Sequence, residues 1–300
     1  MNPTTLLQFF DTYRERAEPL VLVTVYETAG STYSKAGAQM LVNADGVFRG
    51  MLSGGCLEGD LAIRARQVLD SASPQTVTYD LGKGDDELWG MGVGCDGLMR
   101  MQLQSLLPED GYAPFAEIAQ ILRGDEAREV AMPLADGSQG ELTVLVEPPP
   151  QVLVLGAGLD AEPVVRFAAE LGWRCTVVDH RKAYIDNGDF AAATATHCVA
   201  ADKLSNVADL ARFDLAIVMS HHLVSDRDYL LQLADSDIAY IGLLGPHNRR
   251  DRLLRDLGTA TAGKLEKRLY GPAGIAIGGR GPAAIALSIV AQMQQKLAGA

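Results

Sequence analysis

The sequence predicts an α/β protein: an N-terminal α+β domain followed by a Rossmann-like domain with a doubly wound parallel sheet. Three observations carry that prediction. Pro148, Pro149 and Pro150 cannot extend a sheet ladder or a helix, so they read as a stiff linker. Beyond them, short apolar runs alternate with helical periods, the spacing of a parallel sheet with crossover helices. The first of those runs leads into Gly156, Gly158 and Ala161, a GxGxxA pattern set between a strand and a helix. The expected domains are therefore 1–147 and 148–300.

In the first half, Leu6, Phe9 and Phe10 fall on one face of an amphipathic N-terminal helix. No basic stretch followed by an apolar core precedes it, so it does not read as a signal peptide, and a cytoplasmic protein is expected. "LVLVTVYET", "AQMLVNADGVFRGML" and "LMRMQLQSLL" read as strands, the second with a hairpin at Asn43 to Gly46. "EGDLAIRARQVLDSA" and "FAEIAQILRG" read as helices, and "EVAMPLADGSQGELTVLVE" as a second hairpin packed onto this half.

In the second half, "QVLVLG", "WRCTVVD", "THCVA", "DLAIVMS" and "AYIGLLG" are the strands. "LDAEPVVRFAAELG", "SDRDYLLQLA", "NRRDRLLRDL" and "PAAIALSIVAQMQQKL" are the helices. Pro282 near the first position of the last helix is well placed, because its missing N–H would be unpaired there anyway.

Composition excludes several classes. With 48% hydrophobic and 21% charged residues in 300, the chain has the profile of a soluble globular protein. No apolar run approaches the ~20 residues of a membrane span. A net charge of −12 argues against non-specific binding to nucleic acid or to acidic membranes, so an anionic ligand needs a local positive site. Cys56, Cys95, Cys175 and Cys198 form no CxxC pair, which argues against a zinc ribbon or a disulfide framework.

Two regions carry candidate chemistry. In the second half, Gly156 and Gly158 would let the backbone approach a pyrophosphate at a helix N-terminus. Asp179 ends the next strand, where a dinucleotide fold keeps an acid for a ribose hydroxyl. Asp160 conflicts with this, since a carboxylate in that loop repels phosphate and can instead complement the helix dipole. Arg181 either offsets the charge or is a solvated residue. In the first half, Ser53, Gly54, Gly55 and Cys56 are expected at a helix start, where the dipole favours a thiolate. Lys35 is the positive charge of a Gly/Ser/Thr-rich loop, and "WGMGVGCDG" brings Cys95 on a second glycine-rich stretch. Two glycine-framed cysteines suggest a thiol-lined pocket for a soft metal or an anionic cofactor. The plainer reading makes both of them small core residues at tight turns. Glu58 is either a base beside the thiol or an ordinary first-turn carboxylate.

"GSTYSKAGAQMLV", "GMLSGGCLEGDL", "WGMGVGCDG", "VLVLGAGLDAEPVVRFAAELGW", "VVDHR", "VMSHHLVSDRDYL", "IGLLGP" and "GPAGIAIGGRGPAAIALSIVAQM" together resemble the XdhC/CoxI family over nearly the whole chain. These are accessory proteins of molybdenum hydroxylases such as xanthine dehydrogenase. The resemblance implies binding of molybdenum cofactor as cargo, its protection while the sulfurated form is made, and delivery to an apo molybdenum hydroxylase. It also implies a cysteine desulfurase as partner, and a homodimer is expected. By the same resemblance Cys56 is the leading cofactor or metal ligand and Cys95 a weaker one. Ligands of open α/β sheets bind at the carboxyl ends of the strands. That rule places Ser220, His221 and His222 at one strand mouth and His247, Asn248, Arg249 and Arg250 at the next. There the imidazoles could bind a ligand or cap a helix, and Arg249 could capture a phosphate or lie solvated. Gly278 to Gly281 form either a ligand loop or a lead into the last helix.

Three functions follow. The first is a non-catalytic cofactor chaperone. The second is an oxidoreductase using NAD(P), or another nucleotide, in the Rossmann half. The third is a sulfur carrier with a persulfide on Cys56.

Overall fold

The computed structural model describes residues 2–80, 97–135 and 140–299. The chain divides into two compact units, Met1–Pro148 and Pro149–Ala300. Among the described residues, no helix is long and apolar enough to cross a membrane.

The first unit is built on an antiparallel sheet. Its strands are β1 (Leu20–Ala29), β2 (Gln39–Asn43), β3 (Phe48–Arg49), β4 (Gln75–Asp80) and β5 (Leu98–Leu106), in the order β3-β2-β1-β5-β4. β1 is central and buried on both faces, which is why it reads as a continuous apolar run rather than an alternation. Val21, Val23 and Val25 face Leu57, Leu61, Ala65 and Val68, three of which lie on the helix Glu58–Ser71. Leu20 and Leu22 face the other way, toward Phe10 of the helix Pro3–Glu15 and Phe115 of the helix Phe115–Arg123. That second core also takes Val130, Met132, Val144 and Val146 from the hairpin β6 (Arg128–Pro133) and β7 (Glu141–Val146). The expected turn at 43–46 is present, and the Asn43 side chain closes it by accepting from Val47 N at 2.7 Å. β4 was not legible as a strand, because "QTVTYD" has a single fully buried position.

The second unit is a parallel sheet of β8 (Gln151–Leu155), β9 (Arg174–Asp179), β10 (Ala195–Cys198), β11 (Leu215–Val218), β12 (Tyr240–Leu243) and β13 (Leu269–Tyr270). Their order is β10-β9-β8-β11-β12-β13. Counted from β8 this is 3-2-1-4-5-6, the doubly wound order with its switch point between β8 and β11. The helices Ala161–Glu170 and Pro282–Leu297 cover one face through Val164, Val165, Ala168, Ile289 and Met293. The helices Leu223–Leu233 and His247–Leu265 cover the other through Tyr229, Leu230, Leu253 and Leu265.

Candidate functional sites

In the first unit, the stretch between β3 and the helix Glu58–Ser71 is shaped by one carboxylate. Glu58 is 2% exposed. Its Oε1 accepts from Leu52 N and Ser53 N, each at 2.8 Å. Its Oε2 accepts from Ser53 Oγ at 2.5 Å and from Gly55 N at 3.0 Å. Ser53 Oγ accepts in turn from Leu57 N at 2.7 Å. Burial pushes the Glu58 carboxyl up. The Ser53 hydroxyl, with the N–H groups of Ser53, Leu52 and Glu58 itself, outweighs burial and holds it below the usual carboxylate range. An ionised carboxylate with both oxygens engaged is a poor general base, so Glu58 fixes the loop that carries the thiol.

Gly54 and Gly55 take φ of +76° and +109°, a conformation that L side chains adopt at a cost. Cys56 follows, half-buried against the core that includes Val21 and Leu61. The sequence expectation of a thiol at the helix start needs correction. The helix begins at Glu58 with Leu57 as its N-cap residue, and the anion at its positive end is the Glu58 carboxylate.

The Gly/Ser/Thr-rich loop lies beside this stretch. Ser34 Oγ donates to Met51 O at 3.3 Å, and the Tyr33 ring would lie 3.4 Å from a Cβ placed on Gly54. Lys35 is exposed and donates to Thr32 Oγ1 at 3.5 Å. A Cβ on Gly97 would fall 2.3 Å from Ser31 O, so the chain leaving the second glycine-rich stretch passes close to this loop. Cys95 itself lies outside the described residues. Among the described residues, no group of three or more His, Cys, Asp or Glu side chains could hold a metal ion.

In the second unit, the carboxyl ends of β8, β9 and β11 meet at the switch point. Gly156 has φ of +123°, and a Cβ there would lie 2.6 Å from Met219 C and O and from Ser220 N, so only glycine fits. Asp179 is fully buried. Its Oδ2 accepts from Ala157 N and Arg181 Nη2, each at 2.7 Å. Its Oδ1 accepts from Arg181 N at 2.8 Å and Arg181 Nε at 3.0 Å. His180 Nδ1 lies 3.4 Å from the same oxygen. Burial raises this carboxyl, but the Arg181 side chain and the two N–H donors prevail and lower it. Arg181 also stacks 3.7 Å over the Tyr184 ring.

The two neighbouring histidines have different roles. His222 is the N-cap of the helix Leu223–Leu233, with Nδ1 accepting from Ser225 N at 3.4 Å. His221 has φ of +60° and places Nε2 3.0 Å from Asp160 Oδ2 across the switch point. Ser220 Oγ donates to Asp226 Oδ1, and both residues are fully buried. Arg249 donates to Asp226 Oδ2 from Nη2 at 2.6 Å and from Nε at 3.2 Å. Its charge is therefore matched within the protein and it is not a free phosphate receptor. Asp226 was missed in the sequence. The signal was an acid on the same helical stripe as Tyr229, Leu230 and Leu233.

These features define a class: a two-unit α/β protein pairing a glycine-framed thiol loop with a doubly wound Rossmann half. Residues 13–80 match the model of the XdhC and CoxI family, and residues 152–293 match the XdhC Rossmann domain. The chain is 30% identical to a probable xanthine dehydrogenase subunit of Bacillus subtilis, over 95% of each chain. It is 24% identical to a molybdenum cofactor insertion chaperone of Escherichia coli, over 96% of this chain and 87% of that one. A crystal structure of a xanthine dehydrogenase from Bacillus halodurans matches with a TM-score of 0.85 at 28% identity, covering 100% of this chain and 96% of that one. The chain belongs to the XdhC and CoxI family. Lys35, Gly54, Gly55 and Cys56 fall in the first matched segment, and Gly156, Gly158, Asp179, His221, His222 and Arg249 in the second.

Proposed function

We propose that the protein binds molybdenum cofactor, shields it during sulfuration and inserts it into a molybdenum hydroxylase of the xanthine dehydrogenase type. The observation that carries this reading is the Glu58-clamped turn, which presents a half-buried Cys56 thiol after two glycines held at positive φ. A deprotonated thiol is a soft ligand suited to a metal that already carries sulfur ligands. Gly55, next to the thiol, faces open space, with no atom within 4 Å of where a Cβ would stand, and exposed Lys35 in the adjoining loop offers a charge for a phosphate tail. Cys95 is a second candidate ligand. In this account the chain works in the cytoplasm as a homodimer, with a cysteine desulfurase and an apo-hydroxylase as partners and no turnover of its own. Its two domains, 1–147 and 148–300, divide the work, with cargo held by the first.

Support comes from the likeness to an insertion chaperone along nearly the whole chain. The oxidoreductase reading gains nothing from Asp179, whose oxygens are already engaged. The test is transfer. Cofactor-loaded protein mixed anaerobically with an apo xanthine dehydrogenase is expected to restore hydroxylase activity in proportion to cofactor transferred. Activity no greater than with free cofactor at the same concentration overturns the proposal.

A further inference from the structure

We propose that Asp160, tied to His221, closes the glycine loop of the second unit to phosphate, so that this Rossmann half rejects dinucleotides. A dinucleotide site has three working parts: a second glycine that lets backbone approach the pyrophosphate, a helix N-terminus that receives its charge, and an acid that binds the ribose. In this chain a protein group stands at each part. Beside Gly158, the His221 ring lies 3.7 Å from where a Cβ would stand, so an imidazole borders the approach. At the amino end of the helix Ala161–Glu170 sits the Asp160 side chain. It makes no capping bond to that helix, and its Oδ2 lies 3.0 Å from His221 Nε2. A carboxylate there answers the helix dipole and repels a ligand phosphate. At the end of β9, Asp179 is fully buried and accepts on both oxygens from Ala157 N and from Arg181.

The conformation of His221 points the same way. It is a non-glycine residue at φ +60°, an uncommon state that the contact to Asp160 across the switch point helps to hold. The overall charge of −12 adds no long-range attraction for an anion. Asp160 is thus the residue that decides whether the loop takes phosphate. This inference uses only the second unit and does not depend on cofactor handling by the first.

The experiment compares the full-length wild type with Asp160→Ala and Asp160→Asn. Neither substitution removes a helix cap, and the asparagine keeps the size of the side chain while removing its charge. Inorganic pyrophosphate is titrated by calorimetry and NADH by fluorescence, after circular dichroism and melting curves show all three proteins folded. The wild type is expected to show no saturable binding of either probe up to about 1 mM. Both variants are expected to gain affinity for pyrophosphate by about tenfold or more. Saturable sub-millimolar binding of NADH or pyrophosphate by the wild type overturns the proposal. So does the absence of any gain in the two folded variants.

Discussion

The Glu58 carboxylate takes both the backbone N–H and the hydroxyl of Ser53, at 2.8 and 2.5 Å. This pairing fixes the loop that presents Cys56, because Leu52 N and Gly55 N converge on the same carboxylate. Glu58→Ala leaves the buried Leu52 N–H and the partly buried donors of Ser53 and Gly55 without this acceptor, and hydrogen bonds to a charged group are each worth more than neutral ones. The expected loss of stability is about 2–4 kcal/mol. Urea unfolding measures it, and faster amide exchange confined to 52–57 would locate it. Unchanged exchange there would show that the loop holds its shape without the clamp.

Gly156→Ala tests the switch point. The new Cβ meets backbone atoms of Met219 and Ser220 at 2.6 Å, and backbone cannot rotate away as a side chain can. The φ of +123° adds strain of its own. A loss of about 3 kcal/mol or more is expected from urea unfolding, against less than about 1 kcal/mol for Gly263→Ala, which lies within the helix His247–Leu265 with open space around it and no positive φ.

Much of this fold was legible in the sequence because its strands are central. β1, β8 and β11 are buried along most of their length and announce themselves as apolar runs. The two-residue β13 at the sheet edge and β4 with its half-exposed pattern carry too little apolar signal to be read. The site was legible by residue type but not by role. Cys56, Asp179, His221 and Arg249 all stood out, yet sequence cannot show who satisfies whom. Asp179 reads as a ribose acceptor until Arg181 and Ala157 N are seen on it. Arg249 reads as a phosphate receptor until Asp226 is found beneath it. Glu58 reads as a first-turn acid, whereas its bonds run backwards along the chain to residues 52–55.

The Asp226–Arg249 pair gives a cycle with a defined sign. Arg249→Met strands a fully buried carboxylate and is expected to cost about 3–5 kcal/mol. Adding Asp226→Leu removes the stranded charge and should recover more than half of that loss. Urea unfolding of the two single variants and the double variant measures the coupling. Additive losses would mean that the two side chains act independently.

Acid should selectively remove the contribution of Asp179. Its folded carboxyl is held below its unfolded value, so the stabilisation is complete above the unfolded pKa of about 3.9. It is lost as pH falls through the lower folded value, because the unfolded chain then binds the proton first. The urea midpoint of the wild type should exceed that of Asp179→Asn near pH 6, and the gap should narrow progressively below about pH 4. A gap that stays constant down to about pH 2 would show that Asp179 acts through packing rather than charge.

The central claim is that Cys56 is a ligand at a cofactor-handling turn. Its most direct test is anaerobic purification from a cofactor-producing host, with wild type beside Cys56→Ser, each assayed for molybdenum and for oxidised pterin. Replacing a half-buried thiol by a hydroxyl should leave the melting temperature within a few degrees. The account predicts near-stoichiometric molybdenum and pterin in the wild type and loss of most of both in the variant. Equal molybdenum and pterin in the two proteins, or neither in the wild type, would contradict it.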